Sequence, residues 1–155
     1  MAVTVGTAAP DFTLPNQDRE SVTLSQQVAK GPVVLAFFPA AFSSVCTTEL
    51  CTFRDSMAKL NGAKAKVFGI SVDTFFTLGA FKKDQNLNFS LLSDFNKQVI
   101  HQYGVFNEDM IGLKGLAKRA VFVVDRAGIV RHREVLEDAR QEPDYAAVTA
   151  AVAAL

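Results

Sequence analysis

The chain has 155 residues, 49% of them hydrophobic and 21% charged, and its equal numbers of basic and acidic residues give a formal net charge of zero. This composition is typical of a globular protein, predicts one domain over residues 1–155, and gives no sign of binding to nucleic acid or to an anionic membrane surface. No apolar run approaches the roughly 20 residues that span a membrane, and the N-terminus lacks the basic and apolar regions of a signal peptide, so we expect a cytoplasmic protein.

The first part of the chain predicts strands followed by a long helix. Residues 13–24 predict two short extended pieces around a polar turn. The continuous apolar run at residues 32–38 predicts a central strand buried on both faces, which ends at Pro39 because proline cannot donate to a strand ladder. From about residue 43 to about residue 60, apolar side chains recur at three- and four-residue steps, which predicts a helix. These side chains are Leu50, Phe53, Met57 and Leu60.

The rest of the chain continues this alternation. The patterns next predict a strand at residues 65–73 and a helix at 74–85 that is opened by Asp73 or Thr74. A strand at 89–94 and a helix at 95–104, closed by Gly104, follow. The last elements are two strands within 119–136, around a turn at 125–128, and a helix from Asp144 onwards. Strands that alternate with helices favour an α/β fold with a central mixed β-sheet flanked by helices.

Two cysteines, Cys46 and Cys51, fall in the predicted helix after Pro39. Ser43 or Ser44 can cap that helix, which places Cys46 in its first turn. Free N–H groups and the positive end of the helix dipole favour a thiolate there. The sequence therefore predicts that Cys46 is a nucleophile.

The role of Cys51 is open, because it lies deeper in the same helix without that advantage. It is either the partner that reacts second or a small buried apolar side chain. Five residues of helix span about 7.5 Å of rise and about 140° of rotation, whereas disulfide Cα atoms lie within about 7 Å, so a Cys46–Cys51 disulfide requires the start of the helix to unwind.

Other sites that use cysteine or histidine are disfavoured. The chain has no C-x-x-C motif, which argues against a disulfide oxidoreductase of the thioredoxin type. Its two histidines, His101 and His132, lie in unrelated segments, so we expect no metal site.

The residues around Cys46 resemble those of a known family. Residues 39–46 are similar to the peroxiredoxin active-site motif, Pro-x-x-x-Thr/Ser-x-x-Cys. Glu49 matches a glutamate of many members, residues 119–131 resemble the segment that supplies the family's active-site arginine, here Arg119, and residues 6–14 resemble the family's opening. The resemblance covers nearly the whole chain and implies a thioredoxin-like fold.

The sequence resembles two branches of that family. Residues 37–50 and 103–108 look most like the alkyl hydroperoxide reductase E branch, many members of which lack a second cysteine here. Cys51 instead stands where the peroxiredoxin Q (bacterioferritin comigratory protein) branch often has its resolving cysteine. Ser43 replaces the commoner threonine of the motif and keeps its hydroxyl.

The resemblance implies a thiol-dependent peroxidase that needs no cofactor and reduces hydrogen peroxide and organic hydroperoxides. Cys46 would become a sulfenic acid, and Cys51 would resolve it as an intramolecular disulfide. Thioredoxin, a glutaredoxin-like protein or a small thiol would recycle the protein, which would be a monomer or a homodimer. The alternative is a one-cysteine peroxidase or a redox-sensing thiol switch, with a structural role for Cys51.

The resemblance also implies roles around the nucleophile. Arg119, the N–H groups of Val45 and Cys46, and the Ser43 hydroxyl would hold the thiolate and the peroxide. Pro39 would fix the loop and help to keep water from the thiolate.

A simpler interpretation is also open for four residues: Glu49, Ser43, Arg119 and Phe42. Glu49 is expected to orient Arg119, but it would also suit the first turn of a helix on its own. Ser43 could be only a helix cap, and Arg119 only a surface charge. Phe42 would offer an apolar wall for organic peroxides or would simply pack in the core.

Overall fold

The structure, a computed structural model, describes residues 3–62 and 64–155, without the side chains of residues 57, 58, 61 and 62. The predicted packing of Met57 therefore lies outside the described part. The elements are β1 Thr13–Pro15, β2 Ser21–Thr23, α1 Leu24–Val28, β3 Val33–Phe37, α2 Ser44–Gly62, β4 Lys66–Ser71, α3 Phe75–Asp84, β5 Ser90–Ser93, α4 Gln98–Gln102, β6 Phe106–Asn107, β7 Leu116–Ala117, β8 Arg119–Val124, β9 Val130–Leu136 and α5 Tyr145–Ala153.

Five strands form the central sheet in the order β5-β4-β3-β8-β9. β3, β4 and β5 are parallel, while β8 is antiparallel to β3 and β9 is antiparallel to β8. All five residues of β3 are buried, as expected for an apolar strand in the middle of a sheet that is covered on both faces. This mixed sheet confirms the predicted fold class.

Helices cover both faces of the sheet. On one face, α2, α3 and α5 pack against β3, β4 and β8, and the α2 side chains in this core include Leu50, Phe53 and Leu60. On the other face, the β1–β2 hairpin, α1 and α4 enclose a second core around Tyr103 and Phe122. The three- and four-residue spacing in α2 thus predicted the side of the helix that faces the sheet.

Most element predictions are confirmed, and the helix bounds refine two of them. Thr74 caps α3, since its hydroxyl accepts a hydrogen bond from the Thr77 N–H at 3.3 Å. The predicted helix at 95–104 is shorter than expected, because the Asp94 carboxylate accepts from the N–H groups of Val99 and Ile100 and the helix begins only at residue 98. No sequence pattern predicted the five-residue α1 or the two-residue strands of the β6–β7 hairpin.

The absence of a side chain at Gly69 in β4 leaves room for the side chains of Leu91 and Phe38, which pack over this strand. A Cβ at this position would lie 2.7 Å from Leu91 Cδ2 and 3.2 Å from Phe38 Cε1, and it would touch Leu50 of α2 at 3.5 Å. The first of these separations is shorter than any real packing contact, so any larger residue must displace buried neighbours.

We predict that Gly69→Ala lowers the free energy of unfolding by about 1–3 kcal/mol, because it overpacks this layer. The control is Gly79→Ala in α3, where a new Cβ makes only an ordinary contact of 3.5 Å with the Gln17 carbonyl. That variant should be neutral or more stable by up to about 1 kcal/mol, owing to the higher helix propensity of alanine. Urea unfolding measures both, and equal effects would contradict the packing argument.

Candidate active site

Cys46 lies in the first turn of α2, at the end of the loop that follows β3. The helix begins at Ser44, and the first helical hydrogen bond runs from the Thr47 N–H to the Ser43 carbonyl at 2.9 Å. Cys46 is fully buried and belongs to the core between α2 and the sheet. It therefore lies at the positive end of the helix dipole, where a negative charge on sulfur is stabilised.

Arg119, on the strand next to β3, donates a hydrogen bond to the sulfur atom of Cys46. It is the first residue of β8, and because Ala120 pairs with Phe37, the last residue of β3, Arg119 stands level with the loop that leads to Cys46. Its Nη2 donates to Cys46 Sγ at 3.3 Å and to the Ala139 carbonyl at 2.9 Å. With only 1% of its surface exposed, Arg119 is a buried cation and not a surface charge.

Glu49 completes this cluster one helical turn after Cys46. Its Oε1 accepts from Arg119 Nη1 at 2.7 Å, and both side chains are buried. Its second oxygen, Oε2, is also buried and has no hydrogen-bond partner among the described residues. The structure thus brings Cys46, Glu49 and Arg119 together, as the sequence predicts, and Glu49 contacts the arginine rather than solvent.

Burial and pairing act in opposite directions on the charges of this pair. Burial raises the pKa of Glu49 to about 7, against the attraction of Arg119 that lowers it. Burial acts to lower the pKa of Arg119, but the nearby Glu49 and Cys46 outweigh it and raise that pKa, so the guanidinium stays charged. The cation is therefore permanent, whereas the carboxyl group changes its charge near neutral pH.

The loop before α2 is fixed by Asp73, which the sequence analysis did not assign to the site. Asp73 Oδ2 accepts from the Ala41 N–H at 2.8 Å and from the Ser71 hydroxyl at 2.6 Å. The Ser93 hydroxyl donates to the Asp73 carbonyl at 2.6 Å. The sequence contained a signal for this contact, because Asp73 closely follows the end of β4. The carboxyl ends of adjacent parallel strands such as β3 and β4 meet at one edge of a sheet, which places Asp73 near the loop after β3.

A cleft of about 530 Å³ opens at this edge. It is lined by the start of α2 and its preceding loop, by the β6–β7 hairpin, and by the residues that follow β9. The predicted substrate-binding residues on its surface are Pro39, Ser43, Val45 and Arg119.

Two predicted residues make contacts that differ from their expected roles. The Ser43 hydroxyl donates to the Ala40 carbonyl at 2.9 Å and not to the sulfur of Cys46. Phe42 does not line the cleft; it is 51% exposed, and its ring packs against Phe81 with the centroids 5.0 Å apart.

Cys51 lies away from Cys46, although both are on α2. It is half-buried, and its thiol donates to Gln85 Oε1 at the end of α3, at 3.4 Å. Both cysteines are free, and α2 is continuous across them. A disulfide between them therefore requires the unwinding that the helical spacing predicts.

The histidines lie elsewhere. The ring of His101 stacks on Phe106 at 4.1 Å, and His132 is part of β9. Within residues 3–62 and 64–155, no three His, Cys, Asp or Glu side chains are grouped to hold a metal ion, and no helix is long and apolar enough to cross a membrane.

Sequence comparisons relate the chain to a defined family. The family model described as AhpC/TSA matches residues 5–133. Alkyl hydroperoxide reductase E of Mycobacterium tuberculosis is 40% identical over 133 residues, which cover 84% of each chain. Chloroplastic peroxiredoxin Q of Oryza sativa subsp. japonica is 42% identical over 130 residues, which cover 84% of this chain but only 58% of the rice protein. The chain therefore spans less than three fifths of that plant relative.

Solved structures agree with the sequence comparisons. The crystal structure of peroxidoxin BcpB from Mycobacterium tuberculosis superimposes with a TM-score of 0.89 at 31% identity, over 99% of this chain and 98% of that one. Peroxiredoxin Q of Xanthomonas campestris gives a TM-score of 0.82 at 26% identity, over 98% and 96% of the two chains.

The buried carboxyl group of Glu49 predicts a pH-dependent stability that Glu49→Gln removes. A folded-state pKa of about 7, above the ordinary 4.5, means that the native state keeps a proton that the unfolded chain releases. The stability of the wild type relative to Glu49→Gln should therefore fall as the pH rises from about 4.5 to 7 and then level off. The expected loss is up to about 3 kcal/mol, since one pKa unit corresponds to about 1.4 kcal/mol.

Urea unfolding at a series of pH values between 5 and 8 measures this difference. The control is Glu137→Gln, the same chemical change at an exposed carboxylate that pairs with Lys118. An equally pH-dependent difference between the wild type and Glu137→Gln, or a difference between the wild type and Glu49→Gln that does not change with pH, would contradict the argument.

Proposed function

The chain belongs to the AhpC/TSA family, and from that membership we propose that it is a thiol-dependent peroxidase with Cys46 as its nucleophile. The observation that carries the proposal is the 3.3 Å hydrogen bond from Arg119 Nη2 to Cys46 Sγ in the first turn of a helix. The guanidinium is held by Glu49 and by the Ala139 carbonyl, so its donors already point at the sulfur before any substrate binds. A structural cysteine would not require a buried cation.

The proposed reaction transfers the terminal oxygen of a hydroperoxide to sulfur. The thiol of Cys46 first releases its proton, and the thiolate forms an S–O bond as the O–O bond breaks. Sulfur is oxidised by two electrons to the sulfenic acid. The departing hydroxide or alkoxide takes up a proton and leaves as water or an alcohol.

The residues of the cleft favour this step by positioning and charge. Arg119 lines the cleft and touches the sulfur, so its remaining donor capacity can stabilise charge on the departing oxygen. The N–H groups of Val45 and Cys46 at the helix start add to this field. Pro39, which is buried, gives the loop its shape, whereas the Ser43 hydroxyl must turn from the Ala40 carbonyl before it can donate to a peroxide.

Cys51 is the proposed resolving residue. Its thiol releases a proton, and the thiolate attacks the sulfenic sulfur of Cys46, so that an S–S bond forms and the S–O bond breaks. The departing hydroxide takes up the proton and leaves as water. Two-electron reduction by thioredoxin, a glutaredoxin-like protein or a small thiol then restores both thiols. The support is the placement of both cysteines on α2 together with the 42% identity to peroxiredoxin Q. If Cys51 is structural, the protein is a one-cysteine peroxidase or a thiol switch.

Location and assembly belong to the same proposal. A cytoplasmic site of action is part of the proposal, whereas the plant relatives are named as chloroplastic. For the assembly, the proposal is a monomer or a homodimer.

We expect Arg119→Lys to slow the oxidation of Cys46 by hydrogen peroxide by about 100-fold or more, because lysine keeps the charge but cannot serve Cys46, Glu49 and Ala139 from one fixed fork. The chain has no tryptophan, so the reaction is followed by rapid quenching, alkylation of remaining thiols and intact mass. Arg133→Lys on the exposed part of β9 is the matched control and should react as the wild type does. Equal rates in wild type and Arg119→Lys would remove the role of the arginine.

The resolving role of Cys51 predicts a specific product. Reduced, dilute wild-type protein with one equivalent of hydrogen peroxide should give a monomeric mass with an internal disulfide, and Cys46→Ser and Cys51→Ser should not. A stable sulfenic acid on Cys46 beside a free Cys51 would show a one-cysteine enzyme. Two untouched thiols in the wild type would overturn the peroxidase proposal itself.

A further inference from the structure

The thiol of Cys51 is held by the end of α3. It donates a hydrogen bond to Gln85 Oε1 at 3.4 Å, and Gln85 is the residue that caps the C-terminus of that helix. The backbone of Gln85 is itself fixed, since its N–H donates to the Phe81 carbonyl at 3.0 Å and its carbonyl accepts from Arg54 Nη1. The amide group that faces Cys51 therefore belongs to an anchored residue.

Asp84 determines which end of the Gln85 amide faces the sulfur of Cys51. Gln85 Nε2 donates to Asp84 Oδ2 at 2.7 Å, and a hydrogen bond to a charged acceptor is stronger than one between neutral groups. Rotation of the amide by half a turn would place its oxygen against the Asp84 carboxylate and its N–H groups against the sulfur. Because that arrangement exchanges an attraction for a repulsion, the amide oxygen stays toward Cys51.

An amide oxygen beside a sulfur atom favours the thiol over the thiolate. The oxygen accepts the S–H hydrogen and offers no donor to a negative charge, and a hydrogen bond to the neutral form of a group opposes its ionisation. The charged groups around this contact are Asp84, which also opposes a thiolate, and Arg54, which favours one but is paired with Asp55 at 3.0 Å. Cys46 has the opposite surroundings, since Arg119 donates to its sulfur.

The resolving step requires the other state of Cys51. A thiolate must attack the sulfenic sulfur of Cys46, and α2 must unwind to bring the two sulfur atoms together. The same movement carries Cys51 away from the Gln85 oxygen. The thiol then releases its proton, and an S–S bond forms as the S–O bond breaks. The departing hydroxide takes up the proton and leaves as water.

We propose that Gln85 is a positioning residue for the resolving step. Its amide oxygen, oriented by Asp84, holds Cys51 as an unreactive thiol while α2 is intact, so that peroxide oxidises Cys46 alone. Cys51 becomes a nucleophile only when the unwinding of α2 separates it from Gln85. This inference rests on the proposed resolving role of Cys51, and it explains how two cysteines of one helix react in a fixed order.

The first test measures alkylation of Cys51 by iodoacetamide in the Cys46→Ser protein, where Cys51 is the only cysteine. Gln85→Met removes the acceptor and keeps the length of the side chain, so alkylation should be faster by about twofold to tenfold, the effect of one lost hydrogen bond. Gln85→Glu provides a negatively charged acceptor, so alkylation should be slower than in the Cys46→Ser parent. Both variants keep the backbone contacts of residue 85 and are expected to fold.

The opposite signs of these two effects separate positioning from a structural role. If Gln85 only supported the end of α3, both substitutions would loosen that end and both would speed alkylation. The matched controls are Gln102→Met and Gln102→Glu, the same changes at an exposed residue of α4. They should leave the alkylation rate of the parent unchanged.

The second test uses proteins that contain both cysteines. After one equivalent of hydrogen peroxide, rapid quenching and intact mass give the rate constants for sulfenic acid formation at Cys46 and for disulfide formation. The ratio of the second rate constant to the first should rise in Gln85→Met, because Cys51 is released more easily. It should fall in Gln85→Glu, because the S–H hydrogen bond that must break is stronger.

The other outcomes overturn the inference. Alkylation that changes in the same direction in both Gln85 variants, or as much in the Gln102 variants, would show that Gln85 does not control Cys51. A ratio of rate constants that is the same in all proteins would refute the role of Gln85 and leave the resolving role of Cys51 intact. A wild-type protein that forms the sulfenic acid but no disulfide would refute the resolving role, and this inference with it.

Discussion

The buried guanidinium of Arg119 is the interaction on which the site depends. A buried cation is stable only when its donors are paired, and removal of any one partner leaves an uncompensated charge. Here the three partners come from two separate parts of the chain: Cys46 and Glu49 from α2, and the Ala139 carbonyl from the segment after β9. The need to satisfy this one group therefore fixes how α2 and the segment after β9 meet the end of β8.

Glu49 compensates the positive charge of Arg119 only in part, and this favours a negative charge on the sulfur of Cys46. Glu49 offers Arg119 only one of its carboxylate oxygens, and burial raises the pKa of Glu49 to about 7. Whenever Glu49 holds a proton, it no longer neutralises the guanidinium, and the positive charge acts on Cys46 alone. A fully paired carboxylate would cancel the field that a thiolate needs. The same burial that makes Glu49 costly to ionise thus keeps Arg119 available to the nucleophile.

The sequence predicted those parts of the site that depend on local pattern. The apolar run of β3, its end at Pro39 and the helix after Ser43 were enough to place Cys46 in a first helical turn. Contacts between distant segments were harder to predict. Asp73 acts on the loop through the Ala41 N–H, and Ala139 acts through a backbone carbonyl, an acceptor that every residue has. Sequence alone could assign Arg119 only by resemblance, because its burial follows from the register of β8 on β3.

The structure also sets the limits within which α2 can unwind. On the N-terminal side, the hydrogen bond from Ala41 to Asp73 ties the loop to the end of β4. On the C-terminal side, Arg54 is tied to the end of α3 and the turn that follows, since its Nη1 donates to the Gln85 carbonyl and its own carbonyl accepts from Asn88 Nδ2 at 3.2 Å. Cys46 and Cys51 both lie between these two attachments. A rearrangement that joins them can therefore be confined to the first turns of α2, while Leu60 and the rest of the helix stay packed on the sheet.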